Sequence, residues 1–178
     1  MHEPTPSRLL RGAAILQDVL VRELVEARLV CVLATSDTRS RIHAVPMWFA
    51  MRGDSLVLAT GSDSRKVANL RRDPSATVVV HDSRPGCEVC GVSIRGSVKL
   101  VAGDSARPLV EHVHRRYVRA EAAALVPVAQ FLGSDDVALI LHPEEAFTWD
   151  ERGSEASRVL REAGGALPLV PTEPRPAS

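Results

Sequence analysis

With 178 residues, 22 basic against 22 acidic side chains and 45% apolar residues, the chain has the size and make-up of one ordinary globular domain. Zero net charge argues against a nucleic-acid binder that works by bulk positive charge, and six aromatics are too few for a base-stacking platform. No apolar run approaches the roughly 18 residues of a membrane span, the stretch MHEPTPSRLLRGAA has no secretory core, and three cysteines do not make a disulfide scaffold. The expectation is a cytoplasmic protein with no membrane and no nucleic-acid partner.

Residues 15–27, ILQDVLVRELVEA, repeat apolar positions at helical spacing and predict an amphipathic helix. Residues 28–35 then read as a mostly buried strand, 36–40 as a polar turn, 41–49 as a second strand and 55–60 as a third, with Arg52-Gly53-Asp54 as the turn between them. A helix follows, with Ser62 or Ser64 as its cap and Asp73-Pro74 as its end. Strands are expected at 75–81 and 89–102, around a loop at 82–88 that contains Pro85-Gly86. Gly91 and Gly96 mark bends or close approaches in the longer one. Helices at 104–119 and 121–132 precede two last strands, 136–142 and 145–150, and a terminal helix at 155–163. From 164 to 178 the chain is Pro-rich and reads as an extended tail.

Strands joined by such short turns pair antiparallel. Six or seven of them in one domain lose their exposed edges best by closing. The fold class is therefore mainly β with flanking helices, an antiparallel barrel of six to seven strands. A single domain spans 1–163, with the barrel at 28–150.

The chemistry concentrates in Thr60-Gly61-Ser62-Asp63-Ser64-Arg65-Lys66. A strand ends at Thr60 and a helix starts near Ser64. Free N–H groups at a helix start bind anions, and Ser62 and Ser64 add hydroxyls. Arg65 and Lys66 put two positive charges in the first turn, where the helix dipole opposes them unless an anion sits nearby. The arrangement reads as a phosphate site; the alternative is an ordinary serine cap with two solvent-facing cations.

The order of segments carries a resemblance. T-x-x-x-S-R-K between a strand and a helix ending in D-P, preceded by HAVPMWF and SLVLAT and followed by IRGSVKL, resembles the pyridoxamine 5'-phosphate oxidase superfamily of flavin-binding split barrels. The match runs from about Leu29 to Leu100 and more weakly to Asp150. It implies that Thr60, Ser64, Arg65 and Lys66 hold a flavin phosphate, with Ser62 and Asn69 beside them. It also implies that the strand Ala44, Val45, Pro46, Met47, Trp48 and Phe49 runs along the flavin ring. Trp48 could equally be a packing residue. Such barrels are homodimers with the cofactor in a groove between subunits.

The resemblance thus implies an FMN-dependent oxidoreductase acting by hydride transfer on a small organic substrate. The deazaflavin F-420 is the alternative cofactor, and a non-catalytic flavin- or haem-binding protein the second alternative. No side chain is expected to act as a catalytic nucleophile. True pyridoxamine-phosphate oxidases carry an Arg-x-His motif near the C-terminus; FTWDERGS does not match it, so vitamin B6 oxidation is not expected. A Gln common in the family on the strand before Gly96 is replaced by Gly91. Arg71, Arg72 and Arg84 are candidates for holding an extended deazaflavin tail, although solvated surface is the simpler role for each. Cys87-Glu88-Val89-Cys90 is half a zinc site at most, and inert thiols are expected ahead of a disulfide or a metal. No metal ligands are assigned. His43 shares a strand face with Val45 and Met47 and is given no catalytic role, and His112 and Arg116 share one face of the 104–119 helix.

Overall fold

The computed structural model describes residues 5–82 and 90–164. The loop at 83–89, with Arg84 and Cys87, and the tail beyond Gly164 lie outside the described residues. In chain order the elements are β1 (Thr5–Arg11), α1 (Ala14–Gln17), α2 (Val19–Glu26), β2 (Cys31–Ser36), β3 (Ile42–Met47), β4 (Phe49–Arg52), β5 (Ser55–Thr60), α3 (Arg65–Arg72), β6 (Ser75–Asp82), β7 (Cys90–Ala102), α4 (Arg107–Tyr117), α5 (Ala120–Ala123), α6 (Val126–Leu132), β8 (Val137–Asp150) and α7 (Glu155–Glu162). None of the described helices is long and apolar enough to cross a membrane.

All pairings are antiparallel, in the order β3-β2-β6-β7-β8-β5-β4, with β1 added to β8. The two ends of this path, β3 and β4, are separated in the chain by Trp48 alone. The sheet therefore closes on itself through the backbone, which makes it a split barrel. Its interior holds Leu33, Phe49, Leu56, Leu58, Val78, Ile94, Leu139 and Leu141, sealed at one side by Leu20, Val21, Leu24 and Val25 of α2. β5 is buried on both faces: Leu56 and Leu58 point into the barrel, while Val57 and Ala59 form a second cluster with Val110 and Val113 of α4.

Several expectations are corrected. The sheet has eight strands rather than six or seven. The extra one, β1, pairs with the far end of the chain, Leu9 opposite Phe147, so its strand state comes from a partner that local pattern cannot reveal. The helix expected at 15–27 is two helices, because Asp18 leaves the helical conformation and caps the second by accepting from the N–H groups of Leu20 (3.0 Å) and Val21 (3.2 Å). The strand expected at 41–49 breaks at Trp48. The helices expected at 104–119 and 121–132 begin later or divide: a 3-10 turn at Gly103–Ser105 precedes α4, and Leu125 separates α5 from α6. The two strands expected at 136–142 and 145–150 are one strand, β8. Arg95 faces Glu145 and the next residue, Gly96, faces Pro143, so Glu144 is an extra residue bulged beside the proline.

The two glycines of β7 serve close approaches. A methyl at Gly96 would overlap the carbonyl oxygen of His142 at this bulge, and one at Gly91 would overlap the indole of Trp149. Backbone cannot swing aside as a side chain can. Gly96→Ala is therefore expected to cost about 3 kcal/mol in urea unfolding. The cost of Gly91→Ala should be smaller and should fall further when combined with Trp149→Ala. Equal costs for the two single variants would count against this reading.

Candidate functional site

β5 delivers Thr60 to the barrel rim, 4% exposed, and the chain turns there into α3. Gly61 accepts from the N–H of Ser64 (3.2 Å) and shapes the turn. Ser64 is the N-cap of α3, yet its hydroxyl makes no capping bond; it lies 3.4 Å from Thr60 Oγ1, which donates to it. No acidic residue occupies the first turn of α3. The N–H groups of Arg65 and Lys66 stand ahead of any helical carbonyl and have no acceptor among the described residues. Two backbone donors, two hydroxyls and two cations thus converge on one loop.

The balance of charge includes carboxylates that the sequence reading passed over. The N–H of Ser62 donates to Asp136 Oδ1 at 2.6 Å, and the N–H of Asp136 donates back to the carbonyl of Thr60 (3.2 Å). These bonds from Ser62 hold the Asp136 carboxyl below the usual carboxylate range. Burial lowers the Lys66 ammonium below its ordinary value, opposed by the neighbouring charges of Asp135 and Asp63. Lys66 is thus a half-buried cation that gains from an added anion more than a solvated lysine would. The signal for Asp135 and Asp136 was a pair of acids directly before a barrel strand, which reads equally as a turn.

The other expected site residues fall into three groups. Ala44 and Pro46 are exposed on the outer face of β3, with Val45 and Met47 turned the other way beside His43. Arg65 shares a shallow cavity of about 370 Å3 with Asp37, Arg41, Ile42 and His43, which joins the loop to β3. Arg41 and His43 are thereby added to the neighbourhood of the site. Trp48 stacks on Tyr117 at 4.9 Å between ring centres and meets His114 and Phe131 edge-on. Phe49 is fully buried under the guanidinium of Arg116, 4.8 Å from its ring centre. Asn69 is not brought to the loop: its amide donates to Thr35 Oγ1 (3.0 Å) and braces α3 against β2. Arg72 donates to the carbonyls of Ser36 (2.6 Å) and Asp37 (2.9 Å), which ties the end of α3 to the turn before β3.

Tyr117 fixes the break between β3 and β4. Its hydroxyl donates to the carbonyl of Leu29 (2.6 Å), lies 3.1 Å from that of Phe49, and accepts from the N–H of Phe49 (3.3 Å). Burial raises its phenol above the ordinary value. Tyr117→Phe leaves those backbone groups short of a partner and should destabilise the protein by about 1–2 kcal/mol, read as a lower denaturant midpoint at unchanged slope. Elsewhere, burial pushes the thiol of Cys31 up to about 12 and that of Cys90 up to about 11, which keeps both in the unreactive form. Among the described residues no group of three or more His, Cys, Asp or Glu could hold a metal ion.

The folded chain resembles solved structures of the same architecture. A conserved hypothetical protein of Mycobacterium tuberculosis is 23% identical, with a TM-score of 0.61 over 93% of this chain and 98% of that one. An F420 reductase is also 23% identical, with a TM-score of 0.56 over 70% of this chain and 94% of its own. HutZ, the haem storage protein of Vibrio cholerae, is 13% identical, with a TM-score of 0.58 over 72% of this chain and 92% of its own. At such identities the likeness is one of fold, and the fold is shared by a reductase and a haem store. Among curated protein sequences none matches the chain. The sequence profile described as pyridoxamine 5'-phosphate oxidase matches residues 19–150, three quarters of the length and the whole of the barrel from β2 to β8, and on that match the chain belongs to the pyridoxamine 5'-phosphate oxidase family.

Proposed function

We propose that the chain is an FMN-dependent oxidoreductase working as a homodimer, with the phosphate of the cofactor held by Thr60, Ser64, Arg65 and Lys66. The observation that carries the proposal is the start of α3: a cap whose hydroxyl is unspent, two N–H groups without acceptors, and two cations where the dipole disfavours them. This donor set fits a phosphate monoester. When bound, a flavin supplies hydride transfer to or from a small organic substrate. The chain's own part is to bind and orient. Arg65 and Lys66 neutralise the anion, Ser64 donates to it while the Thr60 hydroxyl donates to Ser64 and orients it, and β3, which carries Ala44 to Met47, is the end strand of the sheet order.

The dimer is supported by the outer face of the sheet. Pro46, Val32, Val79, Ser93, Phe147 and Leu9 stand in one row across six strands, each paired with the next. Leu9 and Phe147 are 55% and 46% exposed, and Ile42 near the row's end is 71% exposed. An apolar row this wide suits a self-complementary contact between two copies. It reaches the β3 edge on which the cofactor strand lies, so a partner would complete the groove.

A second reading replaces FMN by the deazaflavin F420. Its support is the cavity that places His43 and Arg41, the latter paired with Asp37 at 2.8 Å, beside Arg65 outside the loop, together with the likeness to an F420 reductase. The visible spectrum of the purified protein and the mass of the co-purified ligand separate these readings from each other and from haem. A colourless protein that binds none of the three on titration would refute the proposal.

A further inference from the structure

Asp135 is bonded to His114 of α4, and its charge acts on Lys66 of α3. Its backbone has little freedom. The N–H groups of Gly133, Ser134 and Asp135 donate to the carbonyls of Ala129 (2.8 Å), Phe131 (3.2 Å) and Leu132 (3.2 Å), so the chain leaves α6 in a tight turn. The next residue, Asp136, is bonded twice to the cofactor loop: its N–H donates to the carbonyl of Thr60, and its carboxylate accepts from the N–H of Ser62. With the chain pinned on both sides, Asp135 is free to change little but the direction of its side chain.

That side chain is committed to His114. The ring Nε2 donates to Asp135 Oδ2 at 2.8 Å. The imidazole is 10% exposed, where an N–H left without an acceptor would be costly, and it meets Trp48 edge-on at 6.4 Å between ring centres. Lys66 forms no ion pair among the described residues, although the charge of Asp135 acts on it. Asp63, the other acid near Lys66, is exposed and lies over Gly61. Two further cations, Arg107 and Arg115 of α4, line the cavity beside Asp135. Arg115 is bonded to Glu111 (2.7 Å), and Arg107 is two helical turns from His114, about 10 Å along the axis. The half-buried ammonium of Lys66 is thus the partner to which a released Asp135 would turn, since a cation short of solvent gains most from an opposite charge.

We propose that His114 is a positioning residue for the cofactor phosphate: by holding the Asp135 carboxylate it keeps that group from closing on Lys66, and so leaves the ammonium open to the anion. The inference rests on the loop holding a flavin phosphate, as proposed above. His114→Leu keeps an apolar side chain against Trp48 and removes the N–H. In a fluorescence titration it is expected to bind FMN roughly fivefold or more weakly than the parent. Adding Asp135→Asn to it removes the competing charge and should return the affinity to the parent's level or above. A histidine that served packing alone would give a loss that Asp135→Asn does not repair. His114→Gln, which keeps an N–H near the place of Nε2, should recover most of the affinity.

A second measurement needs no flavin. The chain has only two lysines, Lys66 and Lys99, so carbon NMR of protein labelled at lysine Cε separates their titrations. In His114→Leu, Lys66 should titrate about half a pH unit or more above the parent, because a carboxylate beside it favours the charged form, and the double variant should lose that rise. Lys99, on β7, should not move. Parental FMN affinity in folded His114→Leu, a loss that persists in the double variant, or an unmoved Lys66 titration would each overturn the inference. Should the parent bind no FMN, the reading of the loop fails and this inference with it, an outcome distinct from a parent and a His114→Leu variant that bind FMN equally well.

Discussion

Replacing Arg65 and Lys66 together by alanine should weaken FMN binding by about a hundredfold or more. Each charge-assisted bond to phosphate contributes about 1.5–3 kcal/mol, or roughly tenfold and upward in affinity, and neither side chain has another task in the fold. Arg65 is exposed, and burial leaves the Lys66 ammonium short of solvent. The double variant should therefore fold and melt like the parent while failing in a flavin fluorescence titration. The pH dependence has a definite sign. Burial lowers the Lys66 value, and phosphate favours the charged form, so binding draws in protons as Lys66 begins to titrate on the alkaline side. Affinity should fall as pH rises through that range, below where an ordinary lysine would titrate. Calorimetry in buffers of different ionisation enthalpy should register the proton uptake, and Lys66→Met should remove it. Unchanged affinity in the double variant would end the assignment of the loop.

The second large effect is expected from the outer face of the sheet. Val79 sits on β6, between Val32 and Ser93 and near the middle of the apolar row. Val79→Arg introduces a charge that would face its own copy across a two-fold axis, with its neighbours on the row unable to pair it. Sedimentation at micromolar concentration should show the parent as two chains and the variant as one. FMN affinity should drop with the dimer, because the groove beside β3 is then open to water. The side chain lies outside the barrel core, so the variant should keep its β-rich circular dichroism. A monomeric variant with parental FMN affinity would separate the loop from the interface and refute the shared groove.

What the sequence revealed follows the range of the physics involved. Strands β2, β3, β5, β6 and β7 and helix α3 were legible because their turns and alternations are local; SLVLAT and SATVVVH need no distant information, whereas the break that makes β4 a separate strand was not legible. The loop from Thr60 to Lys66 was legible because misplaced cations at a helix start are a local anomaly. β1 was hidden since TPSRLLR becomes a strand only by pairing with residues some 140 positions away. The unity of β8 was hidden by Pro143, which looks like a terminator and is a bulge. Asn69 was read by its position in the motif alone. Its place on the inner side of α3, where it reaches Thr35, depends on how the helix packs. The same holds for His114, unremarkable on an amphipathic helix until Asp135 is brought to it from another element.

β8 pairs with β7 along its length except at the bulged Glu144, with β5 through its first part and with β1 through its second. Without it, the sheet divides into β3-β2-β6-β7 on one side and the β4–β5 hairpin on the other, and β1 has no neighbour at all. During synthesis every earlier element therefore leaves the ribosome before the strand that joins them exists. The nascent chain carries unpaired edges on β7, β5 and β1 until Asp150 has cleared the exit tunnel, where strand edges are most exposed to other chains. Fragments ending before residue 137 should consequently accumulate on holding chaperones or in inclusion bodies, and the ones that extend past residue 150 should escape. Translation pauses, in this chain, would be tolerated after β8 and harmful before it.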